Sequence, residues 1–318
     1  MPTIRILEPQ DQPTLEAFCL PRVATSMFLL SNSRAAGLAD RGERYQATYA
    51  GAFWDGSKDA IQECVGVVAH CWNKMLIPQA PAHLDALWRA AVRASGRAIG
   101  GALGPAEQVT EMVEAWRAEG GTLDVQLDEV EKLYVLPLEE LRVPDALRPA
   151  STRGPLLRGR RITAQDVEQA IDWTVAFDVE GLGEEEGPKL RESAQVSVRR
   201  KLQDGHLWVV EARTAEGNWA PVALSGFNAA LREAVQIGPV YTPPELRRQG
   251  YARAVVAASL LDARAEGVQT AILFTGEDNL PAQKAYAALG FRRAGAFRLV
   301  LLRTPIEGAD EGRRTDDG

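Results

Sequence analysis

The sequence predicts an α/β (α+β) protein of two similar units, each a mixed, mostly antiparallel sheet flanked by helices. Three observations predict it. In the second half, three strand patterns joined by short Gly- or Asn-bearing connections lead into a strand–helix–strand crossover. The first half carries a blurred copy of that order of elements, with no close sequence repeat. Between the halves, Leu141 to Pro155 holds three prolines and little periodicity, as an interdomain connection does. The expected division is residues 1–145, a connecting segment over 146–160, a second unit over 161–307 and a frayed polar tail over 308–318.

In the first unit, Ile4–Leu7 reads as a strand and Thr14–Asn32 as mostly helical. Tyr45–Trp54 and Gln62–Trp72 read as strands, and the proline-bearing segment Asn73–Pro81 as a turn. The helix pattern His83–Ala94, the strand Ala98–Ala102, the helix Pro105–Ala118 and the strand Glu131–Leu136 complete the unit. Pro105 after Gly104 is ordinary helix-start chemistry, not a phosphate turn, because no basic residue adjoins it.

In the second unit, Thr163–Phe177 and Lys189–Leu202 are helical patterns, the first with Thr163 as N-cap. Glu180–Gly187 between them reads as a flexible acidic loop, and its Glu184-Glu185-Glu186 as a solvated cluster. His206–Arg213, Trp219–Asn228 and Glu233–Tyr241 read as successive strands. Gly238-Pro239 inside the third predicts a bulge. Ala252–Ala265 is helical without a Gly or Pro, Thr270–Phe274 is a strand, and Asn279 caps a helix over Pro281–Leu289. Phe291–Ala294 and Phe297–Arg303 read as the closing strands.

Bulk properties narrow the function. At 318 residues the chain is long enough for two cores. A formal charge of −7 argues against a general nucleic-acid binder, since phosphate neutralisation needs a basic face. No apolar run reaches membrane-spanning length, and the start Met1–Pro9 lacks the basic and apolar regions of a secretory signal, so a cytoplasmic protein without a membrane partner is expected. Cys19, Cys64 and Cys71 are odd in number and lack CxxC spacing, so neither a disulfide framework nor a metal site is expected, only buried thiols. His206, at a strand start, reads as a packed or solvated histidine.

The chemistry concentrates at Arg247-Arg-Gln-Gly-Tyr-Ala252, between a strand and a helix. Here the backbone N–H groups of Arg248, Gln249, Gly250, Tyr251 and Ala252 gather at a helix N-terminus, where unpaired amides and the positive end of the dipole favour an anion. Gly250 permits the turn, small Ala252 keeps the first helical turn clear, and Arg247, Arg248 and Arg253 add positive charge. The arrangement predicts a pyrophosphate cradle.

Two signatures together give residues 157–306 a resemblance to the GNAT superfamily of N-acetyltransferases. The family's Gln/Arg-x-x-Gly-x-Gly/Ala stands here as Arg247-Arg-Gln-Gly-Tyr-Ala252. Its Asn-x-x-Ala, Tyr and Gly-Phe stand as Asn279-Leu-Pro-Ala282, Tyr286 and Gly290-Phe291. The first half lacks the motif, so the chain resembles tandem members of the family with one working and one degenerate fold.

The resemblance implies acetyl-CoA as donor and a small-molecule or peptide amine as acceptor. It implies cofactor contacts at Val240, whose N–H would polarise the thioester carbonyl, at the cradle from Arg247 to Ala252, and at Asn279. It also implies Tyr286 as general acid toward the leaving thiolate and Glu233 as a base, with bound water as the alternative base. A monomer or homodimer without a metal is expected. Two other readings stay open at this stage. One is an aminoacyl-tRNA-dependent ligase, whose relatives generally lack an intact cradle. The other is a non-catalytic acyl-CoA sensor.

Overall fold

The computed structural model describes residues 2–54, 63–120, 122–148 and 156–307, so the expected tail and residues 149–155 of the expected connection lie outside it. The chain forms two compact units. The first runs to Glu131 and takes in the residues from Ala296 on; the second is Lys132–Gly295. The boundaries therefore fall inside two strands rather than in residues 146–160.

In the first unit, strand β1 (Thr3–Ile6) is followed by helices α1 (Gln12–Cys19) and α2 (Val23–Ala36). The single helical pattern expected over Thr14–Asn32 is broken by a 3-10 turn at Leu20–Arg22, where Pro21 has no N–H to donate. Strands β2 (Ala47–Trp54), β3 (Glu63–Cys71) and β4 (Met75–Gln79) follow, then α3 (Leu84–Ser95), β5 (Ile99–Pro105), α4 (Ala106–Gly120) and β6 (Val125–Pro137). Strands β1 to β4 are antiparallel, and β5 lies parallel to β4. Strand β4 occupies most of the segment expected as a turn, which shortens to Ala80–His83.

Beyond β5 comes the last strand of the chain, with Phe297 to Leu301 antiparallel to Pro105 to Gly101, and then β6. Gly101 is required there, because a Cβ would collide with the Val300 carbonyl. Val300 and Leu302 join Leu76, Leu87, Met112 and the edge-on pair Trp88–Trp116 in one core. Arg298 pairs with Asp128 at 2.8 Å across this join.

The second unit opens with β7 (Leu157–Arg161), α5 (Val167–Leu182), α6 (Pro188–Gln203), β8 (Leu207–Arg213), β9 (Trp219–Ala230) and β10 (Ala234–Tyr241). It continues with α7 (Tyr251–Ala265), β11 (Thr270–Gly276), α8 (Leu280–Leu289) and β12 (Arg292–Ile306), the last strand just described, which replaces the two expected at the end. The sheet order is β6-β11-β10-β9-β8-β7, with β10 and β11 parallel and β7 to β10 antiparallel. Helix α5 continues to Leu182, so the expected acidic loop shrinks to 183–187.

Strand β7 begins within the expected connecting segment. Arg158 and Arg160 both reach buried Glu211 of β8, at 2.7 and 2.8 Å. Arg160 also grips Asp166, whose carboxylate closes a capping box with Thr163. An Arg-rich run thus forms a strand because buried acids neutralise it. Helices cover both faces of this sheet. Val255, Val256 and Leu260 of α7 pack on Trp208, Phe227 and Ile237. Ile171 and Trp173 of α5 and Val198 of α6 pack on Leu207, Val209 and Leu224.

Candidate functional site

The site of the second unit begins where two parallel strands part. Strands β10 and β11 pair only over Ala234–Gln236 and Thr270–Ile272. Past Gln236, β10 stays with β9, with Val240 opposite Ser225 and Tyr241 opposite Leu224, and its edge toward β11 is left open. The register of β9 and β10 shifts twice here, between Gln236 and Ile237 and between Ile237 and Val240, in line with the bulge expected at Gly238-Pro239. Gln236 Oε1 at the last paired position, Thr242 Oγ1 just after β10 and Ser225 Oγ on β9 are buried without a hydrogen-bond partner among the described residues. Buried polar atoms of this kind are normally met by water or a ligand.

The parted strand leads into the basic turn. Arg248 and Gly250 both adopt left-handed backbone, with φ of 66° and 81°, and Gly250 is the N-cap of α7. Turns of this kind point successive N–H groups into one concavity. Gly250 caps the helix without a side chain, and Arg247 to Gly250 are exposed, so the amides of the first turn stay accessible. Gln249 accepts from the Tyr251 hydroxyl at 2.9 Å, and Ala252 lies on the first turn.

Arg247 is placed differently from the expectation. Its guanidinium pairs with Glu180 of α5 at 2.6 Å and donates to the Thr242 carbonyl, tying α5 to the turn.

Asn279 caps α8 as expected, its Oδ1 accepting from Ala282 N at 3.1 Å. Tyr286 is buried on α8, 5.9 Å from Phe291 in an edge-on contact. Glu233 lies just before β10, as expected. It sits in the β9–β10 turn, its side chain paired with Arg232 at 2.6 Å and its carbonyl accepting from Thr270 N. That is the closed end of β10, roughly 20 Å from Val240 at about 3.3 Å per residue.

Several polar residues here carry no local sequence signal. Lys201 of α6 is buried, its Nζ donating to Asn228 Oδ1 and to the Gly238 carbonyl. Burial pushes Lys201 down to about 7, helped by Arg200 and opposed by Asp178. Burial and then Glu184 push Asp178 of α5 up to about 6. Burial also lowers His206, which packs 6.1 Å from Phe227. Burial pushes the Cys19 and Cys71 thiols up to about 12 and Cys64 up to about 11.

The sequence model of the acetyltransferase (GNAT) family matches residues 158–291, the stretch holding the parted strands, the turn and α8. This stretch is a GNAT acetyltransferase domain. The fold of the chain is also similar to three solved structures. One is a protein from Drosophila, at 15% identity and TM-score 0.62, covering 97% of this chain and 100% of that one. The others are GCN5-related N-acetyltransferases. That from Sphaerobacter thermophilus has 14% identity and TM-score 0.56 over 96% of each chain. That from Kribbella flavida has 16% identity and TM-score 0.51 over 89% of this chain and 95% of that one. At such identities the likeness is one of fold. It takes in both units, so the chain is a tandem of GNAT folds. No curated protein matches the sequence.

The GNAT domain and the first unit differ at the equivalent place. Strands β4 and β5 also pair briefly, over Met75–Leu76 and Gly101–Ala102. There the Pro78 ring lies so close to Gly104 that a Cβ would meet it at 2.9 Å, which fills the space. The Ala80 N–H, which follows β4, is taken by Gln108 Oε1 at 2.8 Å. The turn Ala80–His83 has no arginine.

Proposed function

We propose that the GNAT domain transfers an acetyl group from acetyl-CoA to a primary amine by direct attack in a ternary complex. One observation carries the reading: β10 leaves β11 at Gln236, and the gap opens onto the exposed left-handed turn at Arg248–Gly250. An open strand edge suits the amides of a pantetheine arm, and the turn suits a pyrophosphate. The buried unpartnered oxygen of Thr242, between the parted strand and the turn, is open to a polar ligand there.

In this reading the N–H groups of Arg248 to Ala252 hold the pyrophosphate, with charge added by Arg248 and Arg253. The N–H of Val240 donates to the thioester carbonyl oxygen as negative charge builds there. The neutral amine attacks the carbonyl carbon, the C–N bond forms and the C–S bond breaks. Tyr286 gives its hydroxyl proton to the departing sulfur, and the proton lost by the amine passes to bound water. Arg247 contributes by fixing the turn against Glu180, and Asn279 by capping α8.

Calorimetric titration with acetyl-CoA tests the reading on wild type and on Gly250→Glu. The variant puts a side chain into the cradle at a φ of 81°, which only glycine adopts readily. Binding in the micromolar range by wild type, abolished in a folded Gly250→Glu protein, is the expected result. A well-folded wild type that does not bind acetyl-CoA sinks it.

A further inference from the structure

We propose that Lys201 is a positioning residue for the donor strand: its Nζ locks β9 and β10 into a double bulge that turns Ile237–Tyr241 away from β11. The inference rests on the donor reading above. The register runs Gln236 opposite Ala229, Ile237 opposite Phe227, then Val240 opposite Ser225. Asn228 is therefore one residue too many on β9, and Gly238-Pro239 supplies one too many on β10. The bulge starts at the residue after the last pair between β10 and β11, Gln236 with Ile272. Departure from one neighbour and distortion against the other are a single event.

Bulged residues lose their ladder partners. A buried carbonyl left unpaired is destabilising. Lys201 Nζ lies 2.8 Å from the Gly238 carbonyl and 2.9 Å from Asn228 Oδ1, so one amine meets an extra residue on each strand. The two bulged residues also touch, since a Cβ on Gly238 would run into the Asn228 amide. Lysine is rarely buried, because its charge prefers water. Here it is 5% exposed, although an aliphatic side chain would fill the same volume without that penalty. Hydrogen bonding, not volume, accounts for the residue. The ionisable groups acting on it are Asp178 from α5, Arg200 from α6 and His206 ahead of β8.

Two measurements on Lys201→Met test the proposal: amide hydrogen exchange and acetyl-CoA affinity. Without the two hydrogen bonds, the amides of 237, 238, 240 and 241 should exchange at least about tenfold faster and Kd should rise at least about tenfold. Exchange in β8 should not change. Lys201→Gln keeps two N–H donors without the charge and should restore part of both effects. A folded Lys201→Met protein with wild-type exchange over 237–241, or with wild-type affinity, overturns the proposal. Should that variant fail to fold, Asn228→Ala removes one of the two acceptors, and the same null result in it is equally decisive. The two readings also fail separately. Wild type without acetyl-CoA binding removes the donor reading, whereas unchanged exchange removes the clamp whatever the ligand.

Discussion

Tyr286 is held on α8 by packing against Phe291 and the core around Leu136 and Leu289, so Tyr286→Phe deletes one oxygen and leaves the ring in place. If the hydroxyl protonates the leaving sulfur, the variant should bind acetyl-CoA as wild type does and release free thiol about 100-fold more slowly. Equal thiol release by both proteins, read with a chromogenic disulfide, would remove Tyr286 from the chemistry. Lys201 yields a stability prediction of definite sign. Its folded value near 7 lies below the ordinary 10.5, so between those values the unfolded chain holds a proton that the folded protein has released. Stability should rise with pH across that window and be at its lowest, for this group, below 7. Urea unfolding at pH 7 and pH 10 should show the rise in wild type and its absence in Lys201→Met. What sequence reveals at this scale follows from distance along the chain. The Asn279 cap reaches three residues ahead and was legible, whereas Lys201 meets partners 27 and 37 residues away and was not. Glu233 was legible in the same way, since it stands immediately before the first residue of β10.

At the level of elements, β7 depends on a network that breaks when one arginine is removed. Arg160→Met would leave Asp166 without its cation and Glu211 with Arg158 alone, both acids being nearly buried. Stranding a buried charge costs roughly 3 kcal/mol, which a shifted urea midpoint would report. Arg160 holds Asp166 down to about 2, so its share of stability is present above 3.8 and lost as pH falls toward 2. Arg160→Met should therefore flatten the acid limb of the unfolding curve. The strand–turn–helix of β10 and α7 was legible because its hydrophobic run, glycine and helical stripe are contiguous. Strand β7 was not, since its arginines read as a solvated connection until Glu211, over 50 residues on, is seen to neutralise them. Strand β4 was hidden by Pro78, which suits a strand whose pairing with β5 ends two residues earlier.

The order of elements over the whole chain was legible as a duplication, because each half repeats the same alternation of strand and helix patterns. Where the chain passes from one unit to the other was not, since both crossings occur in mid-strand with no change of composition. Lys132–Pro137 serves the second unit, and the residues from Ala296 serve the first. A fragment of residues 132–295 should therefore fold cooperatively, while one cut at 161–307 should aggregate, lacking a strand beside β11 and carrying an unpaired one. Circular dichroism melts and size-exclusion elution of both fragments would check this, and a cooperative melt from 161–307 would contradict the division. The same crossing governs how the protein is made. The first unit leaves the ribosome one strand short and must wait on the order of ten seconds, at usual elongation rates, for residues 296–306 to emerge. Dependence between the duplicates therefore runs one way: residues 132–295 hold every strand of the second unit, whereas the first cannot be finished until its sibling has been made.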